Sequence, residues 1–361
     1  MAFSVLTINP GSTSTKLARF EDEVCVWQDA LRHTPEELAP FASVAEQFDF
    51  RLGLVRSALA FHDGEAIRLD AVVGRGGIID PLPGGTYRVD PALVDRLKLG
   101  RPWDHAANLG GVLAFALAEP RGIPAFIVDP VSVDEMAPEA KVTGLPELPK
   151  PSSLHALNVK ATVRRAAREL GKPWDALNCV VAHLGGGVSV VAHKRGRAVD
   201  VNSAHEWGPF SLDRAGGLPV GDFVRLCYSG QYSEGDIRRK LNSGGGLRAY
   251  VGTSDMREVN RRIDAGDERA AFYRRAMVWQ ISKEIGAQAV SLGEPLDAIL
   301  FTGGLAHDAA FIRMIQERVQ WIAPCLVYPG EDELLALAQG ALRVLKGEEQ
   351  ARDYASSVLR P

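Results

Sequence analysis

Apolar residues along this chain gather in short runs separated by polar, glycine-rich breaks. Val5 to Ile8, Thr15 to Phe20, Ala71 to Gly74, Ala125 to Val128, Val180 to Ala182 and Ala298 to Phe301 are brief, apolar or β-branched, and bounded by turn residues, so each predicts a strand. Between them the apolar positions recur every three or four residues. In Asp267 to Leu292 the stripe Val278, Ile281, Ile285, Ala289 and Leu292 predicts one long helix. Ala156 to Leu170 predicts another, with Arg164, Arg165 and Arg168 on a solvated face. Strands alternating with helices make this an α/β chain.

Two stretches of the pattern are alike. Leu6 to Ala18 and Val180 to Ala192 both read apolar strand, polar residue, glycine turn, β-rich strand, and each opens one half of the chain. That predicts a duplicated domain whose hairpins face each other across a cleft and clamp a polyphosphate. A third turn, Phe301 to Ala306, follows the last strand. The proline- and glycine-rich segment Leu145 to Ser153 is the expected hinge. The expected domains are therefore 1–148 and 149–330, with a C-terminal helix at about 331–361 packing back on the first.

Composition narrows the function. A length of 361 residues suits two domains, and the chain's 36 glycines include five pairs and two triplets spread along it, as tight turns or ligand-hugging loops would require. A net charge of −4 weighs against nucleic acid and anionic membranes, both of which need a basic surcharge. The four cysteines stand far apart, with no C-x-x-C, which excludes a zinc site and a disulfide framework and favours a reducing compartment. The start of the chain lacks a basic n-region and reads as a strand, and no apolar stretch approaches the ~20 residues of a membrane span. A cytoplasmic protein with neither nucleic-acid nor membrane partner is expected.

No Walker-type P-loop, G-x-G-x-x-G turn or protein-kinase motif is present. What remains is Asn9-Pro10-Gly11-Ser12-Thr13-Ser14-Thr15-Lys16, where Gly11 allows close backbone approach, the hydroxyls donate to phosphate oxygens and Lys16 adds positive charge. This N-x-G-S-x-S-x-K run resembles that of the acetate kinase family, and its surroundings look like the butyrate kinase branch. The likeness recurs at Val72 to Gly77, Gly84 to Val89, His105 to Gly110, Phe126 to Val131, His155 to Asn158, Ala182 to Gly187, Gly208 to Ser211, Thr302 to Ala306 and Tyr328 to Glu333.

The resemblance implies a duplicated actin-like (ribonuclease H-like) ATPase fold with ATP in an interdomain cleft, and an activity that moves phosphate from ATP to butyrate with Mg²⁺. Propionate, acetate or a branched short acid are the nearest alternative acceptors. A sugar kinase or a non-catalytic ATP-binding protein is the alternative of another class. Arg214, His155 and Asp129 match the family's catalytic residues; Asp129 serves either as a base or by orienting an arginine or a magnesium-bound water. ATP is expected at Gly11, Ser12, Ser14, Lys16, His183, Gly185, Gly186, Gly187, Asp255, Arg257, Gly303 and Gly304, with Asp255 on ribose or base and Arg257 stacked on it. Mg²⁺ is expected at Asn9 and at Glu333 or Asp332. The resemblance also implies a homodimer or a larger homo-oligomer.

Departures from the acetate kinases set the acceptor. Val72 stands where they carry the carboxylate-binding arginine, and Arg75 is expected to take over that role, with His105 near the substrate. Gly74 and Leu154 replace larger side chains, which is expected to enlarge the acyl pocket toward a longer acid. The segment Ser203-Ala204-His205-Glu206-Trp207 departs from the branch pattern, leaving its contribution open.

Overall fold

The computed structural model describes residues 2–64, 67–101, 104–203 and 206–359; Ala204 and His205, in the departing loop, lie outside the described residues. The first sheet contains β1 (Ser4–Pro10), β2 (Ser14–Glu21), β3 (Val24–Arg32), β4 (Ala71–Arg75), β5 (Thr86–Arg88) and β6 (Ala125–Val128), in the order β3-β2-β1-β4-β6-β5. The second contains β7 (Asn178–Leu184), β8 (Val188–Lys194), β9 (Arg197–Val201), β10 (Ala298–Gly303) and β11 (Cys325–Pro329), in the order β11-β10-β7-β8-β9.

In each sheet three strands form an antiparallel meander, and parallel strands then join the first of them. Read from the meander edge, β3-β2-β1-β4-β6 and β9-β8-β7-β10-β11 follow one order. The duplication expected from two hairpins is thus a duplication of whole sheets. All six expected strands form. Four others carry weak sequence signals: β3 is an edge strand of mixed polarity, β5 has only three residues, and β9 and β11 are incompletely buried.

The helix Ala156–Leu170 forms as expected and buries Leu157, Val159, Val163 and Ala167. Its basic face is only partly solvated, because the Arg164 guanidinium lies 4.2 Å over the Trp174 ring and Arg165 lies 4.8 Å over Tyr328. The long helix runs from Glu268 to Leu292, with Asp267 outside it as the cap that accepts from the Ala270 N–H at 2.9 Å. Its stripe Val278, Ile281, Ile285 and Leu292 enters one core with Val180, Val190 and Phe301. A second core gathers Leu6, Ile8, Leu17, Val72, Leu113 and Ile127.

The chain divides into two compact units, Met1–Asp134 with Asp332–Pro361, and Glu135–Glu331. The division therefore falls before Glu135, and the proline-rich segment lies within the second unit. Local pairing explains this. The Glu135 carboxylate accepts from Lys160 Nζ and the Ala198 N–H, both at 2.8 Å, the Ala137 N–H donates to the Val199 carbonyl at 2.8 Å, and Lys150 pairs with Asp200 at 2.6 Å. The helix Glu333–Leu345 belongs to the first unit, where the close fit of Gly340 against Val128 seats it. No helix among the described residues is long and apolar enough to cross a membrane.

Candidate active site

In the first unit β1 ends at a turn that sets Asn9 opposite Lys16 and Pro10 opposite Thr15 in the β1–β2 register. The Gly11 N–H closes the turn on the Ser14 carbonyl at 2.7 Å, while Ser12 and Thr13 are exposed at its tip. Asn9 Nδ2 donates to Glu333 Oε2 at 2.6 Å, and Arg75 Nη2 lies 3.3 Å from Glu333 Oε1. Asp332 is differently engaged: it caps its helix by accepting from the Leu335 N–H at 3.2 Å. Of the two acidic candidates for the metal, only Glu333 is joined to Asn9.

Arg75 ends β4, the parallel neighbour of β1. Its side chain is 8% exposed, and Nη1 is buried with no hydrogen-bond partner. A buried guanidinium N–H without an acceptor is costly, which leaves Nη1 with unused capacity to bind an anion. Burial, then the Arg75 charge, holds the His105 pKa below the usual histidine range, and its Nδ1 accepts from the Ala107 N–H at 3.1 Å. His105 is therefore a neutral ring carrying its proton on Nε2.

Asp129 follows β6 and is buried, with φ of 38°, a left-handed conformation that is unusual for a residue with a side chain. Its Oδ1 accepts from the Gly85 N–H at 2.8 Å and its N–H donates to the Gly85 carbonyl at 2.9 Å. At Gly74, expected to give the acyl chain room, a Cβ would fall inside the Gly110 carbonyl group of the helix Asn108–Ala118, so the missing side chain brings strand and helix backbones together.

The second unit repeats the hairpin with different chemistry. His183 at the end of β7 donates from Nδ1 to Asn158 Oδ1 (2.8 Å), and its Nε2 lies 3.2 Å from Glu331 Oε1. The His155 ring stacks on His183 with centroids 3.8 Å apart, and its Nδ1 is 2.9 Å from Ser189 Oγ. The Gly185 N–H closes this turn on the Gly187 carbonyl at 3.0 Å. A Cβ at Gly187 would sit 2.6 Å from Arg214 Nη1 and 3.3 Å from His155 Cε1, so the glycine makes room for both side chains. Burial lowers the Arg214 pKa, opposed by Asp213, yet a guanidinium stays charged at neutral pH. Arg214, His155, His183 and the turn Gly185 to Gly187 thus form one cationic and polar cluster.

Arg214 is held by a loop that the glycine pattern alone did not explain. Ser211 Oγ donates to the Gly186 carbonyl and accepts from the Arg214 N–H, and the Ser211 N–H donates to the Arg214 carbonyl at 3.0 Å. Gly245 and Leu247 donate to the Asp213 and Ser211 carbonyls at 3.0 and 2.9 Å. Gly246, at φ of 59°, has its missing Cβ directed at the backbone of Ser211 and Arg214. The Gly244 to Gly246 run therefore backs the Arg214 loop.

Farther along the unit is a cavity of about 690 Å³ lined by residues that include Asp255, Arg257, Asn260, Gly304, Leu305 and Asp308. It unites Asp255, Arg257 and Gly304 with Asn260 and Asp308. The Asp255 carboxylate is already engaged, accepting from Arg257 Nε at 3.1 Å and from the Arg257 N–H at 2.9 Å as a helix cap. Gly303, before this cavity, has φ of 89°, and a Cβ there would strike the backbone of Leu184. Leu154 is buried in the second unit next to His155.

Sheets duplicated in this order form a duplicated actin-like fold. The crystal structure of an acetate kinase from Porphyromonas gingivalis shares the fold, with a TM-score of 0.78, 21% identity, and 95% of this chain and 100% of that one covered. In sequence the chain is 46% identical over 355 residues to a "Probable butyrate kinase" of Clostridium botulinum, covering 98% of this chain and 100% of the relative. It is 47% identical over the same length to "Butyrate kinase 2" of Clostridium acetobutylicum, again with 98% and 100% covered. The model of the acetokinase family matches residues 153–321. The chain belongs to the acetokinase family.

Proposed function

We propose that the protein is a carboxylate kinase that transfers the γ-phosphoryl group of ATP to butyrate, reversibly, giving butanoyl phosphate and ADP. A butyrate oxygen forms the new bond to phosphorus as the bond to the ADP oxygen breaks and ADP leaves with the electron pair. The acceptor is already ionised at neutral pH, so little general-base help is needed and catalysis rests on positioning and charge neutralisation. The observation that carries this reading is the buried, unpartnered Nη1 of Arg75. It supports an anionic acceptor, whereas a sugar site would need hydrogen-bonding carboxylates and amides instead.

In this reading Arg75 and His105 receive the carboxylate. Arg214, His155 and His183 stabilise charge on the transferring phosphoryl group, since a planar guanidinium matches its equatorial oxygens. Asp129, whose Oδ1 is engaged by the Gly85 N–H, fits an orienting role better than that of a base. The turns at Gly11 to Lys16 and Gly185 to Gly187 hold phosphates, and the cavity beside Asp255, Arg257 and Gly304 takes the adenosine. A carboxylate and a carboxamide oxygen suit Mg²⁺, which retains waters and substrate phosphates around one or two protein ligands, so Asn9 and Glu333 would hold it. When bound, it supplies neutralisation of phosphate charge.

Trapping the acyl phosphate with hydroxylamine while offering C2 to C5 acids and ATP tests the proposal. The expected result is hydroxamate with a maximum at C4. A maximum at C2 or C3, or with a branched acid, transfers the same chemistry to that acceptor, and no hydroxamate with any acid overturns the kinase reading. A homo-oligomer is also proposed, supported by the helix Val220–Cys227, none of whose residues is buried although Val220 and Val224 are apolar. Light scattering after size exclusion measures it. ATP as substrate and four free cysteines support a cytoplasmic setting.

A further inference from the structure

Arg51 belongs to none of the motifs above, yet it is among the largest fully buried side chains, at 1% exposure. It sits on the helix Phe48–Asp63 and inserts beneath the turn that follows β1. Nη1 donates to the Gly11 carbonyl at 2.9 Å, to Thr15 Oγ1 at 3.0 Å and to the Ser14 carbonyl at 3.4 Å. Nη2 donates to the Ser12 carbonyl at 3.3 Å. Gln47, one helical turn earlier, orients the fork by accepting from Nε at 3.0 Å and Nη2 at 2.8 Å.

The consequence follows from peptide planarity. In a trans peptide the carbonyl of one residue and the N–H of the next point in opposite directions. With the Gly11 and Ser12 carbonyls turned inward to Arg51, the Ser12 and Thr13 N–H groups are turned outward. Among the described residues neither N–H meets a protein acceptor. Outward backbone N–H groups at a turn are an anion-binding concavity, and a buried guanidinium behind them adds positive potential without its side chain reaching the ligand.

We infer that Arg51 is the positioning residue of the phosphate turn: it draws the turn's carbonyls inward and thereby presents Ser12 and Thr13 N–H to the phosphates of ATP. This rests on the reading that the turn binds phosphate. Lysine cannot substitute fully, because an ammonium lacks the planar fork that spans several carbonyls.

The test compares Arg51→Met, Arg51→Lys, Ser12→Ala and Lys16→Ala with the unaltered enzyme in steady-state kinetics, with thermal unfolding recorded for each. Arg51→Met is expected to raise KM for ATP about tenfold or more, which corresponds to roughly 1.4 kcal/mol, and to leave KM for butyrate unchanged. Arg51→Lys should fall between, and millimolar guanidinium ion should restore ATP affinity in Arg51→Met. If Arg51→Met does not fold, Arg51→Lys carries the same KM comparison. An unchanged KM for ATP in the folded variants overturns the inference, as does a uniform loss of activity and stability without guanidinium rescue. Should Ser12→Ala and Lys16→Ala also leave KM for ATP unchanged, the phosphate reading of the turn fails first; should they raise it while the Arg51 variants do not, the inference about Arg51 fails alone.

Discussion

Arg75 and Arg214 set one residue type in two different surroundings. Arg75 is nearly enclosed and shares Glu333 with Asn9, while one nitrogen waits for a partner. Arg214 is poised against Gly187 and His155 on a loop locked by Ser211 and Gly246. Replacing Arg75 by Ala should therefore raise KM for the carboxylate by on the order of a hundredfold, the loss of a charge-assisted pair worth roughly 2–3 kcal/mol, with KM for ATP little affected. Initial rates with each substrate varied in turn distinguish the two constants. Full activity in Arg75→Ala would remove it from the acceptor site.

Between elements, close backbone approach governs what a glycine means. Gly74 on β4 and Gly110 on the facing helix each direct their missing Cβ at the other element's backbone, so this strand and helix touch at a distance no other residue permits. Gly74→Ala is expected to destabilise the protein by several kcal/mol through overpacking, lowering Tm with every acid, because backbone atoms cannot move aside as a side-chain tip can. Differential scanning calorimetry measures this. A stable Gly74→Ala variant with preference shifted toward shorter acids would instead support an acyl-pocket role for Gly74. The same logic explains which parts of the elements were legible. Buried central strands such as β1, β7 and β10 announce themselves by continuous apolar runs, whereas β3 and β11, half-exposed at sheet edges, carry mixed patterns.

For the molecule as a whole, acid should expose a weakness inside the second sheet. His193 on β8 is fully buried, and its pKa is pushed down to about 3 by burial first and then by the Lys160 charge. An unfolded histidine takes its proton near pH 6.5. Between about 6.5 and 3 the unfolded chain binds a proton that the native state refuses, so stability is full above the upper value and declines as pH falls through this window. Each pH unit within the window removes about 1.4 kcal/mol. His193→Leu should lose less than the unaltered protein between pH 7.5 and 5 in urea midpoints, a comparison that isolates this group from other acid effects. Equal losses in both proteins would assign the acid limb elsewhere.

What the sequence determined by itself was local. Residues within a few positions of one another dictate a hairpin turn, a helix cap or an apolar stripe, and so the α/β pattern, the two related hairpins and the Asn9 to Lys16 run could be read directly. Asp267 capping its helix and Asp332 capping another are interactions of the same short range. Tertiary structure decided which distant groups meet. Asn9 and Glu333 are separated by 324 positions, and only the return of the C-terminal helix to the first unit joins them. Arg51 reaches beneath the turn that follows β1, and Gly74 meets Gly110 of the facing helix. Their roles depend on what lies across the gap from them, which periodicity does not encode. Spacing along a chain specifies the chemistry of a neighbourhood, while burial and close approach, set by the packed fold, specify its use.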